Sequence, residues 1–225
     1  MSRGSARSME EGLSLFITFE GGEGSGKTTQ AALLAERLRE TGREVLEVHE
    51  PGSTPLGKYL RRWLKEGRDP LTAEAELLLF AAARAQLVRR RLRPALERGA
   101  VVVCDRYADS SEAYQGHGRG LDLDRVRMVN DLATGGLHPH LTFLLDCPPE
   151  VGLRRHAGDR SDAPRDRFEG EGLSFHRRVR EGYLEMAQAE PNRWRVLDAT
   201  RPPQEVARQV WCIVRPLLVP QEDVR

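Results

Sequence analysis

The sequence predicts an α/β fold with a doubly wound, five-stranded parallel sheet that is flanked by helices. Short apolar segments alternate along the chain with longer segments of helical spacing. Two of these segments, at 101–105 and 141–146, read VVVCD and LTFLLD. Runs that are apolar at successive positions are typical of parallel strands covered on both faces. A glycine-rich turn directly after the first strand completes the pattern, because such a turn joins a strand to a helix in many folds of this class.

The individual elements follow from the same spacing rules. A strand at 13–20 precedes a helix that closes at Gly42, because glycine favours a helix C-terminus. Thr72, with two glutamates shortly after it, is a typical N-cap for a long helix that ends near Gly99. The other predicted elements are strands at 44–49, 101–105, 141–146 and 193–198 and helices at about 56–65, at 124–134, up to about 189, and at 203–217.

The length of 225 residues fits one domain. We assign residues 13–225 to that domain and residues 1–12 to a disordered N-terminal tail. The polar, arginine-rich stretch at approximately 154–171 is predicted to be a mobile lid. No internal repeat and no long linker divides the chain.

The composition excludes several classes of function. A net charge of +1 argues against a general nucleic-acid binder or a membrane-surface binder. No apolar run has the length of a transmembrane helix, and the first residues do not form a secretory signal. Cys104, Cys147 and Cys212 are far apart in apolar stretches, which predicts buried free thiols in a reducing compartment. The expectation is a soluble cytoplasmic protein.

The glycine-rich turn is a phosphate-binding motif. GGEGSGKT at 21–28 matches G-x-x-x-x-G-K-[ST] and lies between a predicted strand and a predicted helix. Backbone N–H groups of such a loop surround a phosphate, Lys27 reaches the β and γ oxygens, and the Thr28 hydroxyl can bind Mg²⁺. ATP and Mg²⁺ are therefore the expected cofactors. The predicted ATP-binding residues are Gly21, Gly22, Glu23, Gly24, Ser25, Gly26, Lys27, Thr28 and Thr29.

The motif alone leaves three classes of nucleotide-binding protein open. A GTPase would need a guanine-reading N-K-x-D segment, and the sequence contains none. A motor or an AAA-type ATPase normally has a longer chain. A small-molecule kinase needs a second site, beside the phosphate loop, with arginines for the anion of the acceptor.

Charged residues at the ends of two other strands fit such a second site. Asp105 and Arg106 follow VVVC, and Glu50 follows the second strand. The carboxyl ends of parallel strands meet at one edge of the sheet, where ligands bind. Arg84 lies in the apolar run LLLFAAARAQL at 77–87, where a buried guanidinium without a partner would cost several kcal/mol, of the order of 3 or more. Either its head reaches water, or it serves the site.

The chain resembles bacterial thymidylate kinases. The resemblance is carried, in order, by the segments FEGGEGSGKTTQ, HEPGST, LLFAAARAQL, DRYADSSEAYQGHGRG, LTFLLD and DRFEGEGLSFHRRVREGY. It covers nearly the whole chain from Leu15 to the final helix. The resemblance implies phosphoryl transfer from ATP to dTMP, which yields dTDP, in a homodimer with a lid over the ATP phosphates.

The resemblance also implies roles for individual residues. Phe80 would stack on the thymine ring, and Arg84, one helical turn later, would donate to the C4 carbonyl. Arg106 would hold the dTMP phosphate, and Tyr114 would crowd the 2′ position of the sugar. Asp105, with Glu23, would serve the magnesium and phosphate region, and Thr28 and Asp105 are the predicted metal-binding residues. The predicted substrate-binding residues are Glu50, Phe80, Arg84, Arg106, Ser110, Ser111, Tyr114 and Gln115.

Thymidylate kinases differ in where they carry the catalytic arginine. Some have it in the phosphate loop, and others have a glycine there and basic residues in the lid. Gly24 and the lid arginines place this chain with the second type; those arginines are Arg154, Arg155, Arg160, Arg165 and Arg167. The predicted catalytic residues are Lys27, Glu23, Arg106, Arg160 and Arg167.

Two alternatives to a dTMP kinase stay open at this point. One is a kinase for another nucleoside monophosphate. The other is a regulatory module that keeps the phosphate loop but turns over poorly. A coupled assay with ATP, Mg²⁺ and a panel of monophosphates separates them.

Overall fold

The computed structural model describes residues 14–66, 70–158, 168 and 170–218. Five parallel strands form one sheet in the order β2-β3-β1-β4-β5. The strands are β1 Leu15–Glu20, β2 Val45–His49, β3 Val101–Asp105, β4 Leu141–Asp146 and β5 Trp194–Asp198. The predicted α/β fold and its five-stranded parallel sheet are thus confirmed. The predicted tail at 1–12 and most of the predicted lid lie outside the described residues.

Helices cover both faces of this sheet. They are α1 Lys27–Glu40, α2 Pro55–Glu66, α3 Ala73–Leu87, α4 Arg93–Glu97, α5 Ala108–Ser111, α6 Leu123–Thr134, α7 Pro149–Gly158, α8 Leu173–Ala189 and α9 Pro203–Val214. Two π-helical segments, Val88–Leu92 and Glu112–Gly118, follow α3 and α5, and a 3₁₀ turn, Arg215–Leu218, follows α9.

Successive side chains of β1 pack into two separate hydrophobic cores, one on each face of the sheet. Ile17 and Phe19 pack with α1 and α9, whereas Phe16 packs with the end of α3 and the π-helical segment after it. A third cluster joins α8 to the π-helical segment 112–118 and to β4. Because both faces of the sheet are covered, the carboxyl ends of the strands are left as the place for a site.

Two predictions about local structure need correction. The helix that begins at the Thr72 cap is not one α-helix to Gly99, because a π-helical turn separates α3 from α4. Pro94 has no N–H to donate to the preceding turn, which breaks the regular α-helical ladder at this point. Cys212 is exposed, although Cys104 and Cys147 are buried as predicted. The buried residues of α9 recur at 206, 210 and 214, so position 212 faces the other side of the helix.

None of the helices in the described part of the chain is both long enough and apolar enough to cross a membrane.

Candidate active site

The phosphate loop lies between β1 and α1, as the motif requires. Gly26 caps α1 in the left-handed conformation, and no side chain occupies the helix N-terminus. A helix N-terminus and the loop N–H groups together favour a bound anion. Gly24 has a φ of 65°, and a Cβ at this position would collide with the carbonyl oxygen of Gly152 in α7. The loop therefore has no room for an arginine at position 24.

Lys27 is held inside this loop by the loop itself. Its Nζ donates to the carbonyl oxygens of Gly21 and Gly22 at 3.0 and 2.7 Å, and to Ser25 Oγ at 3.3 Å. Burial, helped by the like charge of Arg106, lowers the pKa of Lys27 to about 8. A cation so held is positioned before any nucleotide arrives.

Thr28 and Asp105 form the predicted pair for the metal. Thr28 Oγ1, in the first turn of α1, donates at 2.5 Å to Oδ2 of Asp105, the last residue of β3. The second carboxylate oxygen, Asp105 Oδ1, is buried and has no hydrogen-bond partner in the part of the chain that the structure describes. Mg²⁺ usually takes one or two protein oxygens and completes its shell with water and phosphate. This donor set fits that requirement, and among the described residues no cluster of three acidic, histidine or cysteine ligands offers another site.

Arg106 connects the acceptor side to the phosphate loop. Its Nη2 donates to Glu23 Oε1 at 2.7 Å and to the Tyr114 hydroxyl at 3.1 Å. Its Nη1 makes only longer contacts, 3.2 Å to Gly21 O and 3.5 Å to Ser110 Oγ. Burial alone would raise the pKa of Glu23, but Arg106 and Lys27 outweigh it and lower that pKa to about 2. Glu23 is therefore a permanent anion that orients the guanidinium.

The structure answers the question that Arg84 raises. Arg84 is 1% exposed, so its head does not reach water. Its Nη2 lies 2.5 Å from Glu50 Oε1, and its Nη1 donates to Asn130 Oδ1 at 2.5 Å. Arg84 Nη2 also contacts Ser111 Oγ at 3.1 Å. Arg84 Nε and Glu50 Oε2 are buried and have no hydrogen-bond partner among the described residues, which marks this ion pair as a place for a polar ligand.

Aromatic rings stand next to this ion pair. The rings of Phe80 and Phe168 are 6.1 Å apart, and the ring of Tyr114 lies edge-on to Phe168 at 5.2 Å. All three line one cleft of about 790 Å³, together with the phosphate loop, Arg84 and Arg106. A cleft of this size, with aromatic rings on one side and convergent charged and polar groups around them, fits a small planar ligand that carries an anionic group.

The predicted acceptor residues Ser110, Ser111 and Gln115 also line this cleft, but they mainly orient other side chains. Ser111 supports Arg84, and Ser110 Oγ donates to Glu20 Oε2 at 2.6 Å. Gln115 Nε2 donates to the buried Glu76 at 2.9 Å.

Sequence reasoning missed Phe168, which lines the cleft, and Glu20 and Asn130, which hold residues of the cleft in place. Glu20 directly precedes the phosphate motif, and a charged residue at the end of a buried strand could have indicated a role in the site. Phe168 lies within the segment DRFE, which the resemblance includes. Asn130 lies in α6 with nothing in the local sequence to distinguish it.

The lid arginines are described only in part. Arg154 Nε donates to Glu150 O, and Arg155, which lines the cleft, donates to the carbonyl oxygens of Ala199 and Thr200. The predictions for Arg160, Arg165 and Arg167 fall outside the described residues.

Fold, phosphate loop and acceptor cleft together define a P-loop kinase that acts on a small phosphorylated acceptor. The thymidylate kinase family model matches residues 19–210. A thymidylate kinase from Thermomicrobium roseum is 57% identical over 202 residues, which cover 90% of this chain and 95% of that protein. One from Deinococcus radiodurans is 54% identical and covers 89% of this chain and 96% of its own.

A solved structure agrees with these relatives. The crystal structure of thymidylate kinase from Ehrlichia chaffeensis has a TM-score of 0.73 and 33% sequence identity, and covers 90% of this chain and 99% of that one. The chain belongs to the thymidylate kinase family. It is an enzyme that phosphorylates dTMP to dTDP with ATP as the phosphate donor.

Proposed function

We propose that the described cleft binds ATP at the phosphate loop and dTMP against Arg84 and Arg106, and that the reaction runs between these two ends. The observation that supports this assignment is that one cleft is lined by Lys27, Arg106 and Arg84. A phosphate oxygen of dTMP attacks the γ-phosphorus of ATP, the bond from that phosphorus to the β–γ bridging oxygen breaks, and ADP leaves. The attacking oxygen is already anionic at neutral pH, so no general base is needed.

Charge neutralisation and positioning carry this reaction. Lys27 meets the β and γ oxygens, and Arg106 holds the attacking phosphate with its Nη1 side, because its Nη2 is committed to Glu23. Thr28 and Asp105 would hold Mg²⁺, which when bound neutralises phosphate charge. Arg160 and Arg167 would contribute further positive charge from the lid.

Base and sugar recognition follow from the other end of the cleft. Phe80 stacks on the thymine ring, and Arg84 donates to the C4 oxygen. Its unpartnered Nε supports this role. Ser110, Ser111 and Gln115 fix the surrounding side chains, and Tyr114 crowds the 2′ position.

The experiment for these roles compares the binding of dTMP with that of thymidine, which lacks the phosphate. Arg106→Ala should lower the affinity for dTMP by about 10²-fold, as expected for loss of a charged partner, and leave the affinity for thymidine unchanged. Equal affinities of the variant and the parent for dTMP would remove Arg106 from the phosphate site. For the metal, Asp105→Asn should raise the Mg²⁺ concentration needed for half-maximal turnover.

We also propose a homodimer that forms through α2, α3 and α6. Helix α3 packs against both other helices. Large apolar side chains on all three are exposed, namely Tyr59 (60%), Leu78 (58%), Met128 (71%) and Leu132 (83%). An apolar area of this kind is typical of an interface between copies.

Sedimentation tests the dimer. Leu132→Glu should shift the protein towards the monomer. Val196→Glu is the matched control, because Val196 is an exposed apolar residue of the edge strand β5, outside the proposed interface. If the protein still sediments as a dimer with Leu132→Glu and Met128→Glu combined, the interface lies elsewhere.

For localisation, we propose the cytoplasm. The three cysteines are free thiols, which fits a reducing compartment. Cell fractionation with an antibody against the chain tests this assignment.

A further inference from the structure

Glu20, the last residue of β1, is fully buried beneath the acceptor site. Its Oε1 accepts the backbone N–H of Tyr107 at 2.7 Å. Its Oε2 accepts the hydroxyl groups of Ser110 and Tyr183 at 2.6 and 2.8 Å. One carboxylate thus joins the sheet to the loop after β3, to α5 and to α8.

The residue before Tyr107 has an unusual backbone conformation. Arg106 has a φ of 69°, and among the described residues it is the only non-glycine residue with a positive φ. A side chain with a Cβ rarely adopts this region, and it does so mainly where the surroundings fix the backbone.

Three hydrogen bonds fix the backbone around Arg106. Its own N–H donates to Phe19 O at 3.0 Å, its carbonyl oxygen accepts from Cys104 Sγ at 3.0 Å, and the next N–H donates to Glu20. The bond to Glu20 is the shortest of the three, and it is the one whose acceptor belongs to a side chain outside this turn.

We propose that Glu20 is a positioning residue that holds Arg106 in the orientation in which its guanidinium grips the acceptor phosphate. This inference rests on the proposed role of Arg106. Glu20 does not touch the substrate, because its side chain is not among those that line the cleft. It acts through the backbone N–H of Tyr107, and Ser110 links its other oxygen to the Nη1 side of Arg106.

The test separates this role from a merely structural one. Glu20→Leu removes both acceptor oxygens at a similar volume. Glu20→Gln keeps an oxygen for the Tyr107 N–H, and its NH₂ group can donate to the hydroxyl oxygens instead. Calorimetry then measures the affinities for dTMP and for thymidine.

We expect Glu20→Leu to bind dTMP at least tenfold more weakly, of the order of one buried N–H group left without its acceptor. Its affinity for thymidine should stay within about twofold of the parent, and Glu20→Gln should bind both ligands nearly as the parent does. Thr18→Val is the matched control, because it removes a buried hydrogen bond, to Thr142, from the same face of the same strand. That variant should lose stability and keep both affinities.

Two results would overturn the inference. One is an equal loss of affinity for dTMP and thymidine in Glu20→Leu, and the other is a Glu20→Gln variant as impaired as Glu20→Leu. If Glu20→Leu does not fold, Glu20→Asp replaces it, because the shorter side chain withdraws from the Tyr107 N–H and keeps the charge. If the ratio of the affinities for dTMP and thymidine in Glu20→Asp then equals that of the parent, the inference is contradicted.

Arg106→Ala separates the inference from the function on which it rests. If Arg106→Ala loses dTMP affinity and the Glu20 variants do not, the inference about Glu20 alone fails. If Arg106→Ala keeps its dTMP affinity, the assignment of the phosphate site fails first.

Discussion

The phosphate loop and the acceptor pocket share one cleft but are built in different ways. The loop is a single run of residues, 21–28, and even the cation of Lys27 is held by carbonyl oxygens of that same run. The acceptor pocket is assembled from side chains of distant elements, because Glu50, Arg84 and Asn130 meet only in the folded chain. A substitution in the loop should therefore affect mainly phosphoryl transfer. A substitution in the pocket should affect both ligand binding and stability, because its residues belong to one buried hydrogen-bond network.

The largest effect is expected in the choice of base, which depends on the pocket. The guanidinium of Arg84 only donates, so it matches the C4 oxygen of thymine and opposes the amino group of cytosine. We expect the parent to prefer dTMP over dCMP by about 10⁴-fold in kcat/KM. The missing methyl group of dUMP should cost only about 1–3 kcal/mol.

Arg84→Met should reduce the preference for dTMP over dCMP in kcat/KM. The single variant leaves Glu50 buried without its partner, which costs about 3–5 kcal/mol of stability. Arg84→Met with Glu50→Gln is therefore the control for folding, and it should regain stability without regaining base selection. Comparable turnover of dCMP and dTMP by the parent would show that Arg84 does not distinguish the bases.

A change in the loop gives the next largest effect. Lys27→Ala should lower kcat by about 10²–10³-fold, because the lost cation faces the charge that develops on the transferred group. Circular dichroism and the melting temperature should stay close to those of the parent, since the lysine bonds only to its own loop. Turnover near that of the parent would refute the assignment of the donor site.

Substitutions of the lid arginines should have a smaller effect, which falls on kcat and not on dTMP affinity. Arg160→Ala and Arg167→Ala are expected to lower kcat by about tenfold to 10²-fold with little change in dTMP affinity, because these groups meet the transferred phosphoryl group only in the closed enzyme. Arg154→Ala is the comparison variant, since Arg154 Nε donates to Glu150 O of its own helix. Full turnover by both lid variants would contradict this role.

The last effect is on stability and not on turnover, and it is expected in the dependence of stability on pH. Burial, and to a lesser degree Asp109, raises the pKa of Glu20 to about 7, whereas Ser110, Arg106 and Tyr183 oppose the shift. Between pH 4.5 and 7 the native state therefore binds more protons at this group than the unfolded state does. The free energy of unfolding should fall as the pH rises through this window, by at most about 1.4 kcal/mol per pH unit.

Denaturant titrations of the parent and of Glu20→Gln measure this contribution. The difference between the two proteins isolates Glu20, because other titrating groups are common to both. If the free energies of unfolding of the two proteins change in parallel between pH 4.5 and 7, Glu20 has an ordinary pKa.

The contrast between loop and pocket also explains what could be predicted from the sequence. The five strands, and the place of Lys27 and Thr28 between β1 and α1, follow from periodicity and from one contiguous motif. The partners of Arg84 could not be predicted in the same way, because Asn130 comes from another helix and no local pattern marks it. The π-helical turn before Pro94 was missed because apolar spacing reports which side of a helix is buried and not its hydrogen-bond register.

The contact between Gly24 and Gly152 limits how this enzyme can evolve. A Cβ at Gly24 meets the carbonyl oxygen of Gly152, and a Cβ at Gly152 meets the carbonyl oxygen of Glu23. Main chain touches main chain in both directions, so no rotamer change can make room. A lineage that carried its catalytic arginine at position 24 would first have to move α7 away from the loop. No single codon change can therefore transfer that arginine into the loop of this chain.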